Sequence, residues 1–250
     1  MEQMRKPFQG VWNVVRFNWH FYLLSGIGLL LVFLLSNFLN APFRLFSRIL
    51  FFLAVAVTSI SLIVTYYVYD LSSLYELSWL KDLRRKENSK IVNINAGFDE
   101  TSALLQTRYK DAELEVFDFY NPLKHTEISI KRARKAYPPF PNTKQISTNV
   151  IPLEDNSVDK IFAVLSAHEI RDKNERSNFF QELHRILKPK GQIIVTEHLR
   201  DTANFLAYSI GFFHFHSKRA WLETFQKAGL KIEREIKITP FISTFILEKL

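Results

Sequence analysis

Two long runs of uncharged residues constrain this chain of 250 residues more than any other feature. Residues 21–41 and 49–69 each hold 21 positions without an Asp, Glu, Lys or Arg. At 1.5 Å per residue, a helix of that length spans about 32 Å, which matches a hydrocarbon core of roughly 30 Å. Neither run has the polar stripe that a helix on the surface of a soluble core would show. The pattern predicts a transmembrane helical hairpin within residues 1–69.

The residues around the two runs favour a hairpin over a signal peptide or a buried core helix. A signal peptide would end at a small-residue cleavage site, with no second apolar run after it. The sequence Asn40-Ala-Pro42 interrupts the helix between the runs. Aromatic residues typical of a membrane interface lie at both outer ends, namely Trp12, Trp19, Tyr22, Tyr66, Tyr67 and Tyr69.

The distribution of charge gives the expected orientation. Two spans place both ends of the hairpin on one side of the membrane. Positive residues outside the spans are more numerous there than in the connecting loop, which holds Arg44 and Arg48. The positive-inside rule makes that side cytoplasmic. We therefore expect an integral protein of a bacterial cytoplasmic membrane, with the remainder of the chain facing the cytoplasm.

Composition limits the remaining classes. The chain has no cysteine, which excludes disulfides, cysteine nucleophiles and cysteine zinc sites. Its net charge of +8 suits an anionic membrane surface, so we expect no nucleic-acid partner. Residues 70–89 form a connector in which leucines recur every three residues, from Leu71 to Leu80. It is either an amphipathic helix on the membrane surface or a linker packed on the following domain.

Residues 90–250 alternate between short apolar strands and helical stretches, as in an α/β sheet with helices on both faces. Strands are predicted at 91–95, 114–118, 144–148, 160–166, 191–197, 231–238 and 242–249. Helices are predicted at 100–108, 123–136, 174–188 and 203–228, the last interrupted near Gly211. The turn at Thr239-Pro240 leaves no room for a helix, so the last strand should run antiparallel to its neighbour.

Three segments in a fixed order carry a resemblance to a known family. They are the turn Ile151-Pro-Leu-Glu-Asp-Asn-Ser-Val-Asp159 before a buried strand, the helix end Phe179-Phe-Gln-Glu-Leu-His-Arg-Ile-Leu-Lys-Pro-Lys-Gly191, and the strand Gln192-Ile-Ile-Val-Thr-Glu197. In this order they resemble class I S-adenosylmethionine-dependent methyltransferases of the ubiquinone and menaquinone methylase type. The resemblance covers about residues 88–250. It implies a Rossmann-like sheet of seven strands, S-adenosyl-L-methionine as the cofactor, and methyl transfer.

The resemblance also implies a set of cofactor-binding residues after the first four strands. The loop after the first strand keeps one glycine of the family's glycine-rich pattern, and the acidic residue that ends the second strand stands where the family binds the ribose. Without the resemblance, the loop is an ordinary strand-to-helix turn and the acidic residue a helix cap. The residues assigned to the cofactor are Asn95, Ala96, Gly97, Asp99, Asp118, Phe119, Thr148, Asn149 and Ser166.

Two clusters of ionisable residues follow the fourth and fifth strands. His168 and Glu169 belong to the first cluster, and Glu197 and His198 to the second. Because neighbouring parallel strands end at one edge of the sheet, these four should share one cleft. His168 is the predicted general base, oriented by Glu169, while surface pairing of Glu169 with Arg171 is the alternative. A metal bound by His168, Glu197 and His198 is conceivable, but methyl transfer needs none, so no metal site is predicted.

The leading hypothesis is a membrane-anchored methyltransferase that acts on a lipophilic acceptor, such as a quinone precursor or a lipid headgroup. The apolar stretch 204–216 either lines the acceptor pocket or dips into the bilayer. The rival hypothesis is a catalytically degenerate domain that serves as a membrane interaction module, since most of the glycines are missing. A nicotinamide-dependent reductase would need the complete glycine fingerprint, which is absent from the sequence.

Overall fold

A computed structural model describes residues 5–81, 88–124 and 127–250 of the chain. Its N-terminal part contains helices α1 (Gln9–Phe17), α2 (Trp19–Ser36) and α3 (Ala41–Tyr66), and a π-helical turn, Tyr67–Leu71, continues α3. By length and composition alone, Trp19–Ser36 and Ala41–Leu71 are each sufficient to cross a membrane. The predicted break is present, because α3 begins at Ala41 with a proline in its first turn. The first span ends five residues earlier than expected, since α2 stops at Ser36.

Helix α1 is a separate element that the sequence patterns did not predict, and it is held by the end of the second apolar helix. The carboxylate of Asp70 accepts hydrogen bonds from the backbone N–H groups of Gly10 and Val11, at 2.7 and 2.8 Å. These N–H groups lie in the first helical turn, where they have no partner within the helix. Asp70 therefore acts as an N-terminal cap supplied from 59 residues further along the chain.

The predicted seven-stranded sheet is confirmed. Its strands are β1 (Lys90–Asn95), β2 (Glu113–Asp118), β3 (Lys144–Gln145), β4 (Val158–Val164), β5 (Leu187–His198), β6 (Leu230–Thr239) and β7 (Ile242–Lys249). They are arranged in the order β3-β2-β1-β4-β5-β7-β6, and β7 runs antiparallel to both of its neighbours. The winding direction switches between β1 and β4, so the crevice for a ligand lies at the carboxyl ends of these two strands.

The helices of the sheet domain are α4 (Ser102–Arg108), α5 (Ile128–Ala136), α6 (Lys173–Ile186), α7 (Thr202–Tyr208) and α8 (Lys218–Lys227). The helix predicted at 203–228 is in fact three pieces, because a 3-10 segment, Ser209–His214, separates α7 from α8. The change of direction occurs at Ser209, which has φ of 51°, and not at Gly211. The strand predicted at 144–148 is only two residues long.

The two faces of the sheet are covered by different parts of the chain. One face packs against α6 and α8 through a core that includes Phe179, Phe180, Trp221 and Phe225. On the other face, the connector residues Leu77 and Leu80 pack with Leu105 and Phe162. The described part of the connector, residues 70–81, is therefore packed on the domain and is not a continuous amphipathic helix. Residues 82–87 lie outside the described part of the chain.

Replacing Gly10 by alanine tests the docking of α1. The added Cβ would overlap the Cβ of Tyr69 and lie 3.1 Å from a main-chain carbon of that residue. Because the helix would have to move away, we expect Gly10→Ala to lower the free energy of unfolding by about 1–3 kcal/mol. Each kcal/mol corresponds to about 2–4 °C in Tm for a chain of this size. Gly26→Ala is the matched control, because its Cβ would meet nothing within 4 Å. Equal Tm values for the two variants in detergent would contradict the close packing of α1.

Candidate active site

A cavity of about 270 Å³ opens at the carboxyl ends of β1, β4 and β5, and we call it the central cavity. One wall is the edge of the sheet, and the opposite wall is formed by α1 and by the segment that follows α3. The cavity is therefore enclosed jointly by the sheet domain and the N-terminal helices. The residues of its walls include Tyr69, Asn95, His168, Glu169, His198 and His214.

The loop after β1 presents its backbone and one amide to the central cavity. Asn95 accepts a hydrogen bond from the backbone N–H of Gly97 at 2.9 Å, which holds a tight turn. Gly97 has φ of 93°, a backbone conformation that residues other than glycine rarely adopt. The Nδ2 atom of Asn95 is buried and has no hydrogen-bond partner among the described residues. An unpaired buried donor on a residue that lines a cavity is a candidate contact for a ligand.

Two of the predicted cofactor residues instead hold the loop in place. Asp99 accepts hydrogen bonds from the backbone N–H groups of Thr101 and Ser102, both at 2.9 Å, and so fixes the start of α4. Ser166 donates to the carbonyl oxygen of Ile94 at 2.9 Å and ties the end of β4 to β1. Neither residue lines the central cavity, whereas Asn95 and Ala96 do.

Asp118 ends β2 as predicted and is buried, with 3% of its surface exposed. One carboxylate oxygen accepts from the backbone N–H of Tyr120 at 2.8 Å, and the other forms an ion pair with Arg134. The Arg134 guanidinium also stacks over the Tyr120 ring, 4.6 Å from its centroid. Asp118 does not cap α5, because the N-cap residue of that helix is Glu127. Its charged partner is Arg134, which lies on α5.

A second cavity of about 480 Å³, which we call the lateral cavity, lies beside Asp118. Phe119 and Thr148 both line it, as does Arg134. Thr148 donates a hydrogen bond to Glu175 at 2.5 Å, so its hydroxyl is already engaged. Asn149 is exposed and lines neither cavity. The predicted cofactor residues are thus divided between two cavities, and Arg134 lies on Asp118 at the position where the family holds the ribose.

His168 lies on a 3-10 turn after β4 and is held between two carboxylates. Its Nδ1 atom is 2.6 Å from Glu197, which is completely buried, and its Nε2 atom is 3.3 Å from Glu169. Burial alone would lower the pKa of His168, but the charges and hydrogen bonds of the two glutamates raise it to about 10. The same contacts hold the pKa of Glu169 well below its usual range, although burial opposes this. A histidine that retains its proton at neutral pH does not serve as a general base, so this geometry disfavours the predicted role of His168.

His198 ends β5 and is the neutral imidazole of the central cavity. Burial lowers its pKa to about 4, although a hydrogen bond to Asn204 opposes this shift. The Nδ2 group of Asn204 donates to Asp201 and to the carbonyl of Phe241, so the Asn204 oxygen faces His198 and accepts from its Nδ1–H, at 3.0 Å. The Nε2 atom of His198 is then an acceptor, and the Tyr69 hydroxyl donates to it at 2.9 Å.

Tyr69 and His214 are site residues that the sequence patterns did not identify. Tyr69 was interpreted only as an interfacial aromatic, because its 129-residue separation from His198 gives no local signal. His214 belongs to the 3-10 segment after α7 and lies near Glu169, with 3.7 Å between His214 Nε2 and Glu169 Oε1. Its position in an unusually apolar stretch was the one available signal.

Comparisons with known proteins agree with this fold. Residues 102–195 match a family model described as a methyltransferase domain, which spans less than half of the chain. A comparison with curated proteins found no match. Among solved structures, the chain is similar to an S-adenosylmethionine-dependent methyltransferase from Aquifex aeolicus, with 17% identity, a TM-score of 0.52, and coverage of 78% of this chain and 98% of that one. It is also similar to the PH0226 protein from Pyrococcus horikoshii, with 16% identity, a TM-score of 0.52, and coverage of 71% and 89%. The solved structures share their fold with this chain, residues 102–195 match a methyltransferase domain, and the cofactor implied by the sequence resemblance is S-adenosylmethionine.

The residues present fit this cofactor in two of its three parts. The turn at Gly97 and the unpaired Nδ2 group of Asn95 suit the polar amino-acid end. The lateral cavity beside Phe119 suits the base. The ribose could bind Asp118 only after the Arg134 side chain moves away from that carboxylate. Because this side chain is 35% exposed, it could move into solvent.

Replacing Asp118 tests whether its carboxylate binds the ribose. Asp118→Ala should weaken binding of S-adenosylhomocysteine by on the order of 1.5–3 kcal/mol, the scale of a hydrogen bond to a charged group. The control is Asp155→Ala, because that carboxylate is 69% exposed and pairs with Arg185. The measurement is calorimetric titration of the detergent-solubilised protein. Equal affinities for the two folded variants would remove Asp118 from the cofactor site.

Replacing Arg134 tests whether Arg134 and the ribose compete for Asp118. The expected change in cofactor affinity is opposite in sign to that of Asp118→Ala. Since the ribose and Arg134 require the same carboxylate oxygen, Arg134→Gln should strengthen binding of S-adenosylhomocysteine by on the order of 1 kcal/mol, the upper range for a partly exposed ion pair. Arg132→Gln, on the same helix, is the control, because Arg132 contacts His20 and the Phe17 carbonyl instead. Weaker binding by Arg134→Gln would show that Arg134 contacts the cofactor directly.

Proposed function

We propose that this protein is a membrane-anchored methyltransferase that transfers a methyl group from S-adenosylmethionine to a lipophilic acceptor. The observation that carries the proposal is the joint construction of the central cavity. Its walls come from the carboxyl edge of the sheet, from α1 and from the segment directly after the second apolar helix. An acceptor that enters from a bilayer would reach this cavity beside the point where the hairpin meets the domain.

Exposure of the hairpin supports an anchor. Only 6% of the most apolar window of each candidate span is buried within the structure. A core helix of a soluble domain would be mostly buried, and an exposed apolar surface of this extent requires a cover. Arg44 and Arg48 bond to groups at the turn between the helices, at the end remote from the sheet domain. We propose that the hairpin is inserted in a membrane and that the sheet domain lies on its cytoplasmic side.

An apolar surface on the sheet domain continues the hairpin. Helix α7 packs against α3, and large apolar side chains on α7 and on the 3-10 segment after it face solvent. Their exposed fractions are 48% for Phe205, 68% for Leu206, 80% for Ile210 and 61% for Phe213. Such a patch beside an anchor suits the interfacial layer of a bilayer, where a lipophilic acceptor would collect.

The chemistry required of the protein is positioning and proton removal. The bound cofactor supplies a methyl group already activated by its sulfonium, so the sulfur keeps the electrons of the broken bond while the acceptor forms the new one. His198 is neutral, and its Nε2 lone pair accepts the hydrogen bond of the Tyr69 hydroxyl. The Tyr69 oxygen is therefore the atom that a proton from the acceptor would reach first. A proton leaving the acceptor would pass to the Tyr69 oxygen while the Tyr69 proton passes to His198. Positioning of the two reactants supplies most of the remaining acceleration.

The second candidate is the interaction module without methyl transfer. Two observations favour it: the loop after β1 keeps a single glycine, and Arg134 already neutralises Asp118. A domain that no longer binds a nucleoside would tolerate such a permanent ion pair. The titration of Arg134→Gln described above separates the two candidates, because a module without a cofactor site would bind S-adenosylhomocysteine in neither form.

Alkaline carbonate extraction tests the anchor. We expect the protein to remain in the membrane pellet, because two spans insert in effect irreversibly. The double variant Phe205→Asp, Ile210→Asp is the informative comparison. It should also remain in the pellet, since the patch on α7 supports the anchor without replacing it. Release of the unmodified protein into the supernatant would contradict the hairpin.

Replacement of His198 tests the proton acceptor. His198→Gln should leave binding of S-adenosylhomocysteine unchanged and lower methyl transfer to a membrane lipid extract by about 10²–10⁴-fold. Tyr69→Phe should lower transfer in the same direction, because the relay would lose its hydroxyl. His184→Gln is the control, since His184 lies on α6 beside Gly229 and outside the central cavity. Full activity of His198→Gln would remove His198 from the mechanism.

A further inference from the structure

Two imidazoles and one carboxylate converge on a single point at the central cavity. The Nε2 atoms of His168 and His214 lie 3.3 and 3.7 Å from the same oxygen of Glu169. The ligand atoms of the three residues all lie within 4.8 Å of one another. All three residues line the central cavity. They come from two separate segments, the turn after β4 and the 3-10 segment after α7, so neighbouring sequence positions alone do not account for the cluster.

The Nδ1 atom of each imidazole contacts a further carboxylate. Glu197 is 2.6 Å from Nδ1 of His168, and Glu127 is 2.8 Å from Nδ1 of His214. In each imidazole, Nε2 is the ring nitrogen that faces Glu169. Histidines that bind metals usually donate their other ring N–H to a carboxylate in this way, which fixes the tautomer and makes the ligand more basic.

We propose that His168, Glu169 and His214 bind one divalent transition-metal ion of the Zn²⁺ type. A tetrahedral ion with bonds of about 2.1 Å separates its ligand atoms by about 3.4 Å, close to the spacings observed here. Two imidazoles and one carboxylate suit zinc and its neighbours better than Mg²⁺ or Ca²⁺, which prefer oxygen ligands. The ion takes the place of the proton on Nε2 of His168, which lies between that ring and Glu169. This proton is released to solvent when the metal binds.

Arg171 is the group that opposes metal binding. Its guanidinium contacts the carbonyl oxygen and the Nδ1 atom of His214, and one guanidinium nitrogen lies 3.0 Å from His214 Nε2. The Arg171 side chain is 41% exposed, so it has a path to solvent when a cation enters. Removal of its charge should strengthen metal binding, whereas removal of a ligand should weaken it. This difference in sign separates a metal site from a structural cluster.

The role of the ion rests on the proposed function, although its binding does not. Three protein ligands leave at least one coordination position open, and the three residues that supply them line the cavity that would hold the acceptor. A metal there would bind an oxygen of the acceptor and stabilise its deprotonated form, so the acceptor class is an alcohol or a phenol. The proton of that oxygen goes to the Tyr69–His198 pair.

The test is calorimetric titration of the full-length, detergent-solubilised protein with Zn²⁺ after dialysis against a chelator. The unmodified protein should bind one equivalent. His214→Ala should weaken binding by more than about 100-fold, and Glu127→Gln by about 10-fold, as removal of an outer partner does. Arg171→Ala should bind Zn²⁺ several-fold more tightly. His184→Ala, which removes a histidine remote from the cluster, should bind as the unmodified protein does.

Five outcomes decide the inference. The inference is supported if the unmodified protein binds one equivalent of Zn²⁺, His214→Ala binds it more weakly and Arg171→Ala binds it more tightly. Absence of binding by the unmodified protein, or equal affinity of His214→Ala and His184→Ala, overturns it. One equivalent of Zn²⁺ without any methyl transfer leaves the metal site standing and removes the proposed function. Methyl transfer at an undiminished rate in a protein that binds no Zn²⁺ overturns the metal site and leaves the proposed function standing.

Discussion

The contact between the end of the second apolar helix and the carboxyl edge of the sheet organises the whole molecule. Val68 and Leu74 pack with Ile242 of β7, and Tyr69 bonds to His198 at the end of β5. Asp70, the next residue, caps α1 and places that helix over the cavity. A three-residue stretch, 68–70, thus joins the hairpin, the roof of the cavity and the neutral histidine. Without this contact, the edge of the sheet would be open to solvent, and nothing would link an acceptor in a membrane to the candidate active site.

The electrostatics of the candidate site divide it into two halves, which our proposal assigns to the cofactor and to the acceptor. On the cofactor side, Arg134 neutralises the buried Asp118, so ligand binding must exchange one partner for another. On the proposed acceptor side, three glutamates surround His168 and His214, and Arg171 is the cation that lies against them. The first arrangement favours a nucleoside that supplies hydroxyl donors, and the second favours a cation. Both conclusions depend on the buried carboxylates of Asp118, Glu169 and Glu197, where the loss of a partner is costly.

The fold was predictable because its signals are local and repeated. Apolar strands separated by helices gave the strand number, and the turn at Thr239-Pro240 gave the antiparallel last strand. The grouping of His168 with Glu197 followed from the rule that neighbouring parallel strands end at one edge. Tyr69, Arg134 and His214 could not be predicted as site residues, because each joins the site through a contact with a distant segment. Helix α1 was missed for the same reason, since its cap comes from Asp70. The break in the helix predicted at 203–228 was placed at Gly211, whereas the backbone changes direction at Ser209.

Transfer of labelled methyl groups in intact membranes tests the central claim most directly. Membranes that contain the protein are incubated with S-adenosylmethionine labelled in its methyl group, and the products are partitioned between organic and aqueous phases. The account predicts label in the organic phase that depends on the protein and is lost in His198→Gln. Binding of S-adenosylhomocysteine without label in the organic phase would contradict methyl transfer to a lipophilic acceptor.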